Sequence, residues 1–137
     1  MIVLDTNVLS GLMRSQPEVK IVAWLDAQPR DSVWITSITA LEVRFGLQIM
    51  SAAKKRTALF HAFESLLETI DHRVAAFDVA AAEHAGDLMA RRQHAGRPVD
   101  LRDTMIAGIV LARRASLATR NVAHFKDAGI SVVDPWD

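Results

Sequence analysis

Apolar positions follow two rhythms along this chain, and the switches between them mark out its elements. Met1-Ile2-Val3-Leu4 is a short continuous apolar run, the pattern of a strand buried on both faces. Leu9, Leu12 and Met13 then recur at i, i+3, i+4 and predict a helix. Ser15-Gln16-Pro17-Glu18 is a helix-start signal, with Ile21, Trp24 and Leu25 supplying the apolar face and Pro29 ending it. Val33-Trp34-Ile35 predicts a second strand closed by Thr36 and Ser37. A helix from about Thr39 to Met50 follows, its stripe marked by Ile38, Leu41, Phe45 and Ile49. Another, from about Ala52 to Leu67, carries Leu59, Phe60, Phe63, Leu66 and Leu67. Val74 to Phe77 predicts a third strand, and Asp78 caps a helix running to about His94. Gly96-Arg97-Pro98 is a loop. Asp100 or Leu101 to Arg114 is a helix, and strands follow over Ser116–Thr119 and Ile130–Val133.

Strands alternating with helices or helix pairs require parallel crossovers. The expected fold class is therefore α/β, a central parallel sheet flanked by helices on both faces. No composition shift or repeat divides the chain, so residues 1–137 are expected to form a single domain. Half the residues are apolar and 23% are charged, ordinary values for a globular protein. Sixteen basic residues balance sixteen acidic ones, so no broad positive field draws nucleic acid. Any such binding must come from a local patch, for which Arg14, Arg44 and Lys54-Lys55-Arg56 are the candidates. The absence of cysteine excludes disulfides and thiolate metal sites. With no signal-peptide pattern and no run near the ~20 apolar residues of a membrane span, a cytoplasmic protein without membrane association is expected.

Against this background three acids are out of place. Asp5 ends the first apolar run, Glu42 lies within 60° of Ile38, Phe45 and Ile49 on its helix, and Asp103 shares a side with Ile106, Ala107 and Val110. In an open α/β sheet, ligands bind outside the carboxyl ends of the strands. Asp5, Thr36-Ser37 and Thr119-Arg120-Asn121 all fall at such ends. Two unit charges ~4 Å apart repel by roughly 4 kcal/mol at an effective dielectric of 20. A cation among the three relieves that repulsion, and oxygen-only ligation suits Mg²⁺ or Mn²⁺. Each acid also has a local alternative. Asp5 can cap the following helix, Glu42 can close a capping box with Thr39, and Asp103 can favour a helix N-terminus capped by Asp100. The five histidines show no paired ligand spacing and none is assigned to a metal.

The same residues carry a family resemblance. Asp5-Thr6-Asn7 after an N-terminal strand, Ile35-Thr36-Ser37 leading to Leu41-Glu42-Val43-Arg44-Phe45-Gly46, Asp103-Thr104-Met105-Ile106-Ala107, and Leu117-Ala118-Thr119-Arg120-Asn121 together resemble the PIN-domain nucleases. The likeness spans essentially the whole chain and is strongest to VapC-type toxins of the FitB-like branch. It implies a PIN fold and a Mg²⁺-dependent endoribonuclease (Mn²⁺ can substitute) that hydrolyses RNA by a metal-activated water. It also implies a homodimer partnered by a small, VapB-like, DNA-binding antitoxin. Asp5, Glu42 and Asp103 would hold the metal, and Thr6, Asn7 and Thr119 would orient ligands or phosphate. Many relatives carry a fourth acid where this chain has Asn121, an amide that can orient water without adding charge. Asp100 is the rival for the third ligand. The competing function is a non-enzymatic regulator that acts with a DNA-binding, antitoxin-like partner.

Overall fold

Alternation within single strands sets the architecture. In the computed structural model, which describes residues 1–137, strand β1 (Ile2–Leu4) sends Val3 to one core and Leu4 to the other. The same split recurs in β4 (Ser116–Ala118), where Leu117 and Ala118 face opposite cores. A strand so divided must be covered on both sides, and six helices provide that cover. Helices α1 (Thr6–Met13), α2 (Val19–Asp26), α3 (Ser37–Gln48) and α4 (Ala53–Thr69) follow β1 and β2 (Val33–Thr36). Most of their buried residues join the Leu4 core. After β3 (Val74–Ala75), helices α5 (Val79–His94) and α6 (Leu101–Arg113) pack against the Val3 side with Leu88, Ile106, Ile109 and Val110. Strand β5 (Ser131–Val133) completes the sheet.

All strand pairs are parallel and the order is β3-β2-β1-β4-β5. The chain moves outward from β1 through β2 to β3, then returns to the far side of β1 for β4 and β5. Strand order therefore reverses at β1, and the crevice between the carboxyl ends of β1 and its neighbours is the place where such sheets bind ligands. Leu4 lies beside Ala118, and the Asp5 amide donates to the Ala118 carbonyl at 2.9 Å, which carries Asp5 and Thr119 past the sheet side by side.

Several boundaries differ from the sequence expectation by one or two residues, and at two of them the local hydrogen bonds give the reason. Strand β3 stops at Ala75 rather than Phe77, because the Asp78 amide turns back to the Ala76 carbonyl while the Phe77 amide donates to the Ser37 hydroxyl. Helix α3 begins at Ser37 rather than Thr39. Its cap is Thr36, whose hydroxyl accepts the Thr39 amide at 3.1 Å.

Helices α5 and α6 are in close contact at Gly108. A Cβ built there would sit 2.4 Å from the Ala81 carbonyl oxygen and 2.9 Å from the Ala85 Cβ. Gly86, by contrast, faces open space. Gly108→Ala is expected to destabilise the protein by about 1–3 kcal/mol through overpacking against backbone. Gly86→Ala should stabilise it by roughly 0.5–1 kcal/mol through helix propensity. Chemical denaturation of the two variants measures both, and equal effects would contradict the close crossing.

Candidate active site

Asp5 sits where β1 becomes α1, and it is 3% exposed. Its side chain caps α1, with Oδ1 accepting the Thr6 amide at 2.9 Å. Oδ2 accepts the Thr119 hydroxyl at 2.7 Å and the Asn7 amide at 3.3 Å. Asn7 also reaches the Thr119 hydroxyl, and its own carbonyl oxygen accepts the Arg120 amide. The Asn121 amide donates to the Thr119 hydroxyl at 3.0 Å. Asp5, Asn7 and Thr119 thus form one network across the β1–β4 boundary. Asn121 enters it through its backbone while its side chain stays at the surface.

Glu42 is reached by a chain of hydroxyls. The Thr36 hydroxyl donates to that of Thr39 at 3.4 Å, Thr39 and Thr6 are 2.9 Å apart, and the Thr6 hydroxyl donates to Glu42 Oε1 at 2.8 Å. Each hydroxyl has one hydrogen, so donation in this direction ends on the carboxylate. No capping box forms between Thr39 and Glu42, since the cap lies three residues earlier. The apolar stripe expected around Glu42 also needs correction. Ile38 is buried, but Phe45 and Ile49 are 56% and 67% exposed, and Leu41 is exposed with them. The buried face of α3 runs through Ile38, Thr39, Val43 and Leu47, because those are the positions turned toward the sheet and α4. Glu42 lies at its edge, half-buried.

Asp103 stands on the first turn of α6 and is mostly covered. Its Oδ2 pairs with His124 Nδ1 at 2.9 Å, and Oδ1 makes no protein hydrogen bond. Asp100 instead caps α6, accepting the amides of Arg102 and Asp103 from an exposed position. Arg102 lies 3.7 Å from Glu42 Oε2 and 3.6 Å from Asp100. As they stand, no three acidic or imidazole side chains are grouped closely enough to enclose an ion. Each carboxylate has taken its own partner, so the three acids share an electrostatic neighbourhood rather than a closed cage. Asp103 and Glu42 are the two acids whose charges bear on Asp5. Their donor chemistry is that of a hard-cation site: oxygen only, with Asp103 Oδ1 unengaged and Glu42 Oε2 held only by a long ion pair.

Arg44 is not brought to the acids. It lies 200° around α3 from Glu42 and lines clefts against α4 with Leu47 and Phe60. Arg56 shares one of those clefts, whereas Arg14 and Lys55 line a separate one between α1 and α4. Sequence reasoning missed His124, Arg102 and Thr39. His124 meets Asp103 across 21 residues and an intervening strand, so no local spacing could reveal it. The signal for Arg102 was its place beside Asp103.

Burial pushes the Asp5 carboxyl above its ordinary value of 3.8. The Thr119 and Thr6 hydrogen bonds oppose that rise, and the charges of Asp103 and Glu42 add to it. Asp127 moves the other way, held low by its hydrogen bonds from Arg92. An acid with a raised folded pKa contributes stability below its unfolded value and loses it as pH rises through the folded one. Asp127 acts oppositely, its contribution present above the unfolded pKa and lost as pH falls through the folded value. In buffer containing EDTA, the stability of the wild type relative to Asp5→Asn is expected to decline as pH is raised from about 4 toward 7. Thermal unfolding of both proteins across that range measures it, and a difference that stays flat or grows would contradict the burial of Asp5 beside like charges.

Comparison with known proteins agrees with the fold and with the ordered motifs. The PIN domain family model matches residues 2–130. The VapC ribonuclease Y4jK of Sinorhizobium fredii is 38% identical over 100% of this chain and 99% of its own length. Toxin FitB of Neisseria gonorrhoeae is 32% identical, with 99% of each chain covered. Among solved structures, FitAcB from Neisseria gonorrhoeae superposes with a TM-score of 0.89 at 32% identity, covering 99% of both chains. A structure of FitAB bound to an IR36 DNA fragment gives the same score at 31% identity, over 100% of this chain and 96% of that one. A parallel sheet in this order, acids at its carboxyl edge, and matches of this extent show that the chain belongs to the PIN-domain family, beside relatives of the VapC and FitB type.

Proposed function

We propose that this protein is a divalent-metal-dependent endoribonuclease, the toxin of a toxin–antitoxin pair, and that it hydrolyses RNA phosphodiesters. The observation that carries the reading is a carboxylate, Asp5, that is 3% exposed and faces the charges of Glu42 and Asp103. Buried acids raised in pKa by desolvation and like charge cluster at functional sites. The ribonuclease and toxin names of full-length relatives support the same reading.

Asp5, Glu42 and Asp103 would hold Mg²⁺, for which Mn²⁺ can substitute. When bound, the ion neutralises charge at the scissile phosphodiester and lowers the pKa of a water. The chain's own residues prepare that chemistry. Thr119 and Asn7 hold Asp5 Oδ2, leaving Oδ1 with a single backbone donor. The hydroxyl chain ending at Thr6 holds Glu42 Oε1 and leaves Oε2 toward Arg102, a cation at the mouth of the site able to meet a phosphate. Asn121 adds hydrogen-bonding capacity without charge, so one tightly held ion serves. Solved relatives include FitAB and VapBC bound to DNA, which supports a small, DNA-binding antitoxin of VapB type as partner. The exposed stripe of Leu41, Phe45 and Ile49 on α3 is a surface suited to protein contact, by the antitoxin or within a homodimer. No helix is long and apolar enough to cross a membrane, and action on RNA in the cytoplasm is the corresponding proposal.

The purified chain, given a total-RNA pool and Mg²⁺ or Mn²⁺, is expected to yield discrete fragments that disappear with EDTA. Asp5→Ala should lower the rate about a thousandfold or more, the scale of several kcal/mol of lost charge stabilisation. Cleavage that survives both treatments would exclude the mechanism. A folded, metal-binding protein that cuts nothing would favour the non-enzymatic regulator. Binding of the inactive variant to a single-stranded RNA should show a shallow salt dependence, a log–log slope of about −2 to −3 for three or four phosphate contacts. A much steeper slope would mean that a wider basic surface is engaged.

A further inference from the structure

The Asp103–His124 pair rests on an unusual foundation. A carboxylate accepts, so the hydrogen between them belongs to His124 Nδ1, and the ring is held as a donor to Oδ2. The imidazole is half-exposed, yet the backbone beneath it is tightly held. His124 lies in a 3₁₀ turn after β4, its amide donates to the Asn121 carbonyl, and the next residue, Phe125, is 1% exposed in the core. The His124 carbonyl accepts from Arg92 Nη2 at 2.7 Å. Arg92 is itself 3% exposed, and its fork grips Asp127 through Nε and Nη2, both at 2.9 Å. The remaining nitrogen, Nη1, donates to the Thr104 hydroxyl at 2.7 Å. Thr104 is the residue after Asp103. One buried guanidinium therefore holds both the turn that carries His124 and the helical turn that carries Asp103. A surface ion pair would need none of this support.

We propose that His124 is a positioning residue for Asp103: its Nδ1–H fixes one carboxylate oxygen and leaves Oδ1 free to ligate the divalent ion. The inference rests on the metal-dependent reading above. Carboxylate ligands are commonly held in this way by an outer hydrogen bond, and losing that partner typically costs 10–100-fold in metal affinity or activity. Because His124 contributes orientation rather than a ligating atom, a side chain that presents a donor at the same place should serve as well. Asparagine does so, since its Nδ2 falls near the position of imidazole Nδ1.

The test is Mn²⁺ binding to the full-length protein by titration calorimetry, with thermal unfolding recorded in parallel. His124→Ala should bind Mn²⁺ about 10–100-fold more weakly while unfolding near the wild-type temperature, because the ring is half-exposed. His124→Asn should recover most of the loss. In an Asp103→Ala background, His124→Ala should add little, since the residue it positions is gone. Wild-type affinity in His124→Ala, no recovery in His124→Asn, or full additivity with Asp103→Ala would each overturn the positioning role. Absence of Mn²⁺ binding by the wild type would overturn the metal reading itself, and this inference with it.

Discussion

Burying the carboxylate of Asp5 at the end of the central strand is the constraint on which the rest of the site depends. A charge removed from water needs hydrogen-bond donors at fixed places, and in this fold they come from β4 and from the first turn of α1. Those donors coincide only because β1 and β4 pair in one register, Leu4 beside Ala118. A slip of one residue would exchange the faces of Val3 and Leu4 and would also take Thr119 away from Asp5. Core packing and site geometry are thus specified by the same pairing.

The distribution of buried polar groups follows from that constraint. The buried polar and charged side chains are Asp5, Thr36, Thr39, Arg92, Thr104 and Thr119. Thr119 binds Asp5, Thr36 and Thr39 lead through Thr6 to Glu42, and Arg92 with Thr104 supports the turns of Asp103 and His124. The five other than Asp5 serve Asp5, Glu42 or Asp103, and none of the six is left without a partner. Fully satisfied polar networks in a low dielectric rigidify their surroundings, which is what a constellation of mutually repelling groups requires.

Helix α3 divides its roles around its circumference. Val43 and Leu47 join the core, Glu42 borders the acids, and Leu41, Phe45 and Ile49 face outward. A protein bound on that outer stripe would sit on the same helix that carries Glu42, one of the three acids proposed to hold the metal. The same arrangement explains why Arg44, two residues from Glu42, lines the clefts against α4 instead of the acidic crevice.

Much of the molecule was legible in the chain. The apolar rhythms located the strands and helices to within a few residues, because burial imposes a characteristic period on each kind of element. The alternation of strands and helices implied a parallel sheet with both faces covered. Asp5 and Asp103 stood out because acids interrupt apolar elements only at a cost, Glu42 was singled out through a stripe that faces solvent, and the ordered motifs around all three pointed to the family. Local spacing misled where neighbouring signals compete. The Thr39–Glu42 spacing imitates a capping box, but the cap is Thr36, and the stripe through Phe45 and Ile49 is helical in period yet turned to solvent. What only the tertiary structure decided are the meetings between distant residues: Thr6 with Glu42, Arg92 with Thr104 and the His124 carbonyl, His124 with Asp103. Periodicity reports which side of an element is buried, whereas these contacts depend on how separate elements are placed against one another, and that is set by sheet register and helix packing.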